Sequence, residues 1–192
     1  FIYPGLGYGG SCFPKDVKAL IDTARKYDFE PQLLASVDDV NKRQKHVLSK
    51  KVEAHFASQG GIKGKTLALW GLAFKANTDD VREASAFELI NDLTAKGMRV
   101  VAFDPVAGPN TREHFKGNDL LTIVDEQYAV LEKADCLAVV TEWNQFRNPD
   151  FGRIKKMLKA PVIFDGRNLY SPQLLADLGM VYICIGRQTA KA

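Results

Sequence analysis

The sequence predicts an α/β protein: a helical region with a long linker helix, followed by a doubly wound, parallel-sheet, Rossmann-like domain. Three observations carry this. From about residue 61 onward, short apolar runs alternate with helical stretches, the pattern of a buried parallel sheet wrapped by crossover helices. Before that, a 26-residue stretch starting at Pro31 holds no Gly and no internal Pro, with apolar residues recurring mostly at three, four and seven. The chain has 192 residues, 46% of them hydrophobic, enough for one good core or two small ones.

Taken in order, the first helix opens at Pro14, with Asp16 in its first turn to meet the positive helix end, and runs to about Tyr27. A turn at Phe29-Glu30-Pro31 leads to the long segment. Its stripe is Leu33, Val37, Val40, Val47, Leu48, Val52 and Phe56. As one helix it would span about 39 Å, too long for a single short neighbour to cover. It reads as a helix linking domains or packing across a dimer interface. Gln59-Gly60-Gly61 ends it. Strands follow at 66–70, 99–103, 121–124, 136–140, 162–164 and 181–185, and helices at 83–96, 126–133, 151–158 and 172–178. This divides the chain into 1–60, helical, and 61–192, α/β.

Composition narrows the function. A formal net charge of +3, with Lys and Arg scattered, suits a small anionic ligand and speaks against a nucleic-acid partner. No apolar run approaches a membrane span, and the start, FIYPGLGYGG, has neither the basic nor the apolar segment of a signal peptide. Three cysteines at irregular spacing make neither a disulfide framework nor a zinc motif, so a reducing, cytoplasmic setting is expected and no metal.

Gly5, Gly7 and Gly10 have the G-x-G-x-x-G spacing of a dinucleotide loop. The context speaks against that role. Pro4 is a poor strand residue, and helix, turn and helix follow where a second strand is needed. The alternative is a turn built to present Cys12. That thiol sits at or near a helix N-terminus, where unpaired N–H groups favour thiolate. Lys15 adds positive charge, and Asp16, four residues on, shares its helical face and can hold a water or a proton. Gly9 and Gly10 clear space for a substrate to approach the sulfur. Cys136 and Cys184 lie inside apolar strands and read as core.

The segment G-x-G-x-G-G-S-C-F-P-K-D, Gly5 to Asp16, resembles the catalytic-cysteine motif of the UDP-glucose/GDP-mannose dehydrogenase family. The resemblance continues through Gly71-Leu72-Ala73-Phe74-Lys75, Thr78 to Ser85, Thr141-Glu142-Trp143 to Phe146, and Asp165-Gly166-Arg167-Asn168, in family order. It implies a helical dimerisation region and a nucleotide-sugar domain, with the family's N-terminal NAD-binding domain absent from this chain. It further implies four-electron oxidation of UDP-glucose to UDP-glucuronate, using NAD, as part of a longer enzyme. By this resemblance Cys12 is the nucleophile, passing through a thiohemiacetal and a thioester, and Asp16 helps activate water. Tyr3, Gly5, Gly7, Tyr8 and Gly9 wrap the sugar-phosphate. Phe74, Lys75 and Arg167 contact UDP, and Lys15 and Arg82 reach the NAD. The Asp165–Asn168 loop points to UDP sugars over GDP-mannose; UDP-N-acetyl-hexosamine is a further alternative. A homodimer through the long helix is expected. So is a second possibility, that these 192 residues bind UDP-sugar and dimerise without activity by themselves. A thiol hydrolase or redox sensor built on Cys12 has no His nearby in sequence to support it. Trp143 and Phe146 read as packing against the sheet, and His46 and His55 as decoration of the long helix.

Overall fold

The computed structural model describes residues 4–191. Three helices come first: α1 (Phe13–Lys26), α2 (Gln32–Lys45) and α3 (Val47–Phe56). The sheet strands are β1 (Thr66–Trp70), β2 (Arg99–Phe103), β3 (Leu121–Ile123), β4 (Cys136–Val139), β5 (Val162–Asp165) and β6 (Val181–Cys184). Between them lie α4 (Ser85–Thr94), α5 (Gly108–His114), α6 (Asn144–Arg147), α7 (Phe151–Met157) and α8 (Pro172–Asp177). The order across the sheet is β3-β2-β1-β4-β5-β6, with every pairing parallel. The chain leaves β1 toward one edge and returns to β4 on its other side. The crevice beyond the carboxyl ends of β1 and β4 is therefore the topological switch point, where such sheets bind ligands.

Successive strand residues face opposite sides, so the sheet has two cores. Leu67, Leu69, Val100, Ala138 and Phe164 pack with α3 and α4. Ala68, Trp70, Leu137, Val139 and Ile163 pack with Phe146, Ile154 of α7 and Leu175 of α8. Phe146 stacks on Trp70 at 5.2 Å, and Trp143 packs against the same cluster. Leu48, Val52 and Phe56 bury α3 in the first core, each contributing about 1.5–3 kcal/mol of apolar burial.

The segment from residue 31 to 56 is bent, not continuous. α2 ends and α3 begins at His46, although no Gly or Pro marks the spot. The cause is tertiary. Asp92 of α4 binds His46 Nδ1 at 2.7 Å and accepts from Ser49 Oγ at 2.5 Å, and the same hydroxyl reaches the His46 carbonyl at 2.9 Å. Side chains that enter the helical ladder in this way bend it. His46 is thus a latch, not decoration. The two halves also differ in burial. α3 buries its apolar face, whereas α2 buries Asp38, Asn41 and Lys45 and exposes Leu33, Val37 and Val40.

Two smaller expectations fail. Residues 126–133 form only a 3-10 turn at Ala129–Leu131, because Val130 and Leu131 are drawn into the core over one turn. α5 is a helix where the sequence reading placed none; Pro109 serves as its helix-opening residue. Among the described residues, no helix is long and apolar enough to cross a membrane.

Candidate active site

The glycine loop lies over the switch point and is fastened on several sides. Asn41 of α2 accepts from the Tyr8 amide at 2.7 Å and donates to the Tyr8 carbonyl at 3.1 Å. Gln44, one turn on, donates to the Gly5 carbonyl at 2.6 Å. Ser85 Oγ, at the start of α4, donates to the Leu6 carbonyl at 2.8 Å, and Leu6 is buried against Gly166. Gly10 donates to the Arg82 carbonyl at 2.8 Å. Three glycines are sterically required: a Cβ on Gly7, whose φ is +89°, would come within 2.5 Å of Asn41 Oδ1 of α2. A Cβ on Gly9 would collide with the Glu83 carbonyl, and one on Gly10, whose φ is +90°, would come within 2.8 Å of the Phe74 ring. The glycine spacing therefore serves close packing against α2 and the 74–83 loop.

Gly5, Gly7, Tyr8, Gly9, Gln44, Phe74 and Arg167 line one cavity of about 510 Å³. All but Gln44 are sequence-predicted substrate residues. Tyr3 lies outside the described residues. Lys75 is exposed and does not line the cavity; its ammonium lies 5.2 Å from the Phe74 ring centroid. Arg167 is held tightly. Its Nε donates to the Val140 carbonyl at 2.9 Å and its Nη2 to the Phe74 carbonyl at 2.8 Å. Glu142 Oε2 lies 3.2 Å from Nε, close enough for ion pairing, but the Nε proton points to Val140 instead.

Cys12 is exposed and forms the N-cap of α1, so its position at the helix start is as expected. Its sulfur lies 3.6 Å from Ser11 Oγ. Asp16 sits one turn on, its amide bonded to the Cys12 carbonyl at 2.9 Å, and its carboxylate lies 3.5 Å from Lys15 Nζ. Arg82 forms a two-pronged pair with Asp80, both bonds 2.9 Å. That pairing raises the Arg82 pKa and holds the Asp80 carboxyl below its ordinary range. Lys15 and Arg82 are both mostly exposed cations. Cys136 and Cys184 are buried, and burial pushes both thiols up.

The switch point itself does not fit a dinucleotide. Asp104 follows β2, where such folds keep the acid that binds ribose. Here its Oδ2 accepts from the Leu72 and Ala73 amides at 2.7 and 3.2 Å and from Trp143 Nε1 at 3.1 Å. Its Oδ1 takes the Val106 and Ala107 amides. Amides that could cradle a pyrophosphate after β1 are thus already paired.

Sequence reasoning missed Asn41, Gln44, Glu142 and Asp165 as parts of this site. Asp165 is fully buried and accepts from the amides of Arg167, Leu169 and Tyr170 and from Tyr182 Oη, so it shapes the loop that presents Arg167. Burial outweighs these bonds and raises its carboxyl pKa. The motif Asp165-Gly166-Arg167-Asn168 contained the signal for Asp165, but it drew attention to the arginine.

A doubly wound sheet with a cavity of about 510 Å³ past the carboxyl ends of β1 and β5, roofed by a glycine loop that leads into a thiol, defines a ligand-binding class of α/β protein. Two family models narrow the class. The UDP binding domain of the UDP-glucose/GDP-mannose dehydrogenase family matches residues 68–172, and the central domain of that family matches residues 1–43. The chain belongs to the UDP-glucose/GDP-mannose dehydrogenase family. It is 48% identical to the UDP-glucose 6-dehydrogenase of Pseudomonas aeruginosa, across 99% of this chain and 42% of that protein. It is 40% identical to that of Rhizobium meliloti, across 97% of this chain and 42% of that protein. The solved UDP-glucose dehydrogenase of Pyrobaculum islandicum superposes with a TM-score of 0.74 at 33% identity, covering 85% of this chain and 35% of that one. The chain thus spans about two-fifths of the length of these curated relatives.

Proposed function

We propose that this chain is the thiol-bearing and UDP-sugar-binding part of an NAD-dependent enzyme that oxidises UDP-glucose to UDP-glucuronate. The observation that carries this reading is the convergence of Gly5, Gly7, Tyr8, Gly9, Phe74 and Arg167 on one cavity, with Cys12 two residues beyond the loop that roofs it. In this reading residues 1–60 supply the thiol loop and the dimerising helices, and residues 61–192 the UDP-sugar domain. The Arg167 guanidinium and the loop backbone hold the diphosphate. Cys12 Sγ adds to the C6 aldehyde of the sugar, the C–S bond forming as the carbonyl π bond opens to an oxygen that takes up the thiol proton, which fixes that carbon as a thiohemiacetal beside the helix N-terminus. Asp16 orients the water that later releases the acid. NAD supplies the hydride acceptor. Its binding belongs to the longer protein, with the exposed cations Lys15 and Arg82 facing it; the inward-turned amides at Asp104 are consistent with this division.

The test is thermal. UDP or UDP-glucose at 100 times its Kd stabilises a binding protein by about 2.7 kcal/mol, roughly 5–10 °C for a chain of this size. UDP is expected to raise the melting temperature more than GDP-mannose does. No shift with UDP overturns the reading.

The exposed apolar face of α2 supports a homodimer built on this helix. Leu33 is 77% and Val40 52% exposed, and both belong to the same stripe as Val37. Sedimentation should give a dimer for the chain and a monomer for Val37→Lys. A wild-type chain that sediments as a monomer at micromolar concentration removes the proposal.

A further inference from the structure

Lys45 is a lysine with only 5% of its side chain exposed, an expensive placement unless it is paired. Its partner is Glu83, at 2.6 Å. The other Glu83 oxygen accepts from Lys18 of α1 at 2.8 Å. These two bonds hold the Glu83 carboxyl down at about 2. Glu83 also has a φ of +54°, a left-handed backbone that a glutamate adopts only where its surroundings impose it. In that conformation its carbonyl fills the space beside Gly9, while the preceding carbonyl, of Arg82, takes the Gly10 amide. One residue thus touches α1, α2 and the glycine loop. It sits in the same loop as Phe74, whose ring underlies Gly10.

We propose that Glu83 is the positioning residue for Cys12. Its carboxylate fastens the thiol-bearing helix to α2 and to the cavity, so that the sulfur keeps one place relative to the bound sugar. The proposal rests on the reading of Cys12 as nucleophile. Glu83 does not line the cavity, so it acts on the reaction through α1, not through UDP.

Cys12 is the exposed thiol among the described cysteines and takes a nitroxide label directly. Glu83→Gln alone strands a buried ammonium and risks unfolding. The double variant Glu83→Gln/Lys45→Met removes both charges together and keeps the volume. Its label is expected to become more mobile than in the parent, with UDP affinity within about 2-fold of the parent. Lys45→Arg, which keeps the pair, is expected to retain the parent's spectrum. In a full-length enzyme containing this sequence, the double variant should lower kcat by ~10- to 100-fold with KM for UDP-glucose nearly unchanged. An unchanged label spectrum overturns the proposal. So does a loss of UDP affinity as large as the loss of kcat, which marks a general scaffold role. A mobilised label with kcat intact upholds the fastening and instead overturns the nucleophile assignment of Cys12.

Discussion

Cys12→Ser, in a full-length enzyme that contains this sequence, is expected to end NADH formation from UDP-glucose, with a loss of ~10⁴-fold or more. The size follows from the site. A serine hydroxyl needs a strong base to become a nucleophile, and the Asp16 carboxylate, one turn on, is a weak one. The Cys12 sulfur has Ser11 Oγ as its neighbour, and His46, at the bend between α2 and α3, is engaged with Asp92. A thiol needs less help, because sulfur is intrinsically a far better nucleophile than a hydroxyl oxygen. The chain itself offers a companion measurement. Iodoacetamide should modify Cys12 first, with Cys136 and Cys184 slower by ~100-fold or more, because both are buried in strands and must wait for local opening. Equal rates at Cys12 and Cys136, or retained four-electron turnover by Cys12→Ser, would overturn the assignment.

The strands were legible for a simple reason. A parallel sheet covered on both faces asks every strand residue to be apolar, so its strands stand out as short unbroken runs. The thiol was legible too, since a proline-opened helix directly after a glycine run fixes where Cys12 must lie. What stayed hidden shares one physical cause: polar residues whose role depends on a distant partner. Asn41, Gln44 and Lys45 lie on a helix with no local sign that they face inward, and by composition they read as solvent-facing. Asn41 and Lys45 become buried, and Gln44 half-buried, only because α2 lies along the glycine loop and Glu83. The same holds for the bend at His46. Its cause is Asp92, 46 residues away. The apolar stripe of α2 was legible as a surface in need of a partner, and among the described residues Leu33, Val37 and Val40 are exposed.

Arg167→Lys is expected to weaken UDP binding by ~30- to 100-fold, about 2–2.7 kcal/mol, within the range of charged hydrogen bonds. The substitution keeps the charge, so geometry must account for the loss. The Arg167 amide is held by Asp165 Oδ1 at 2.8 Å, and that carboxylate is itself fixed by three further donors. The guanidinium is then aimed by two carbonyls, Val140 at Nε and Phe74 at Nη2. Its remaining nitrogen, Nη1, lies at the Gly5 side of the cavity, 3.5 Å from where a Gly5 Cβ would stand. A planar fork can satisfy both carbonyls and a phosphate oxygen at once. A lysine ammonium is a single point and must leave the carbonyls or the ligand. Binding of UDP and of uridine by calorimetry separates the two consequences. Loss confined to UDP is the signature of phosphate recognition. Equal loss for both would mean that Arg167 only braces the Phe74 loop, and an unchanged UDP affinity would remove it from the site altogether.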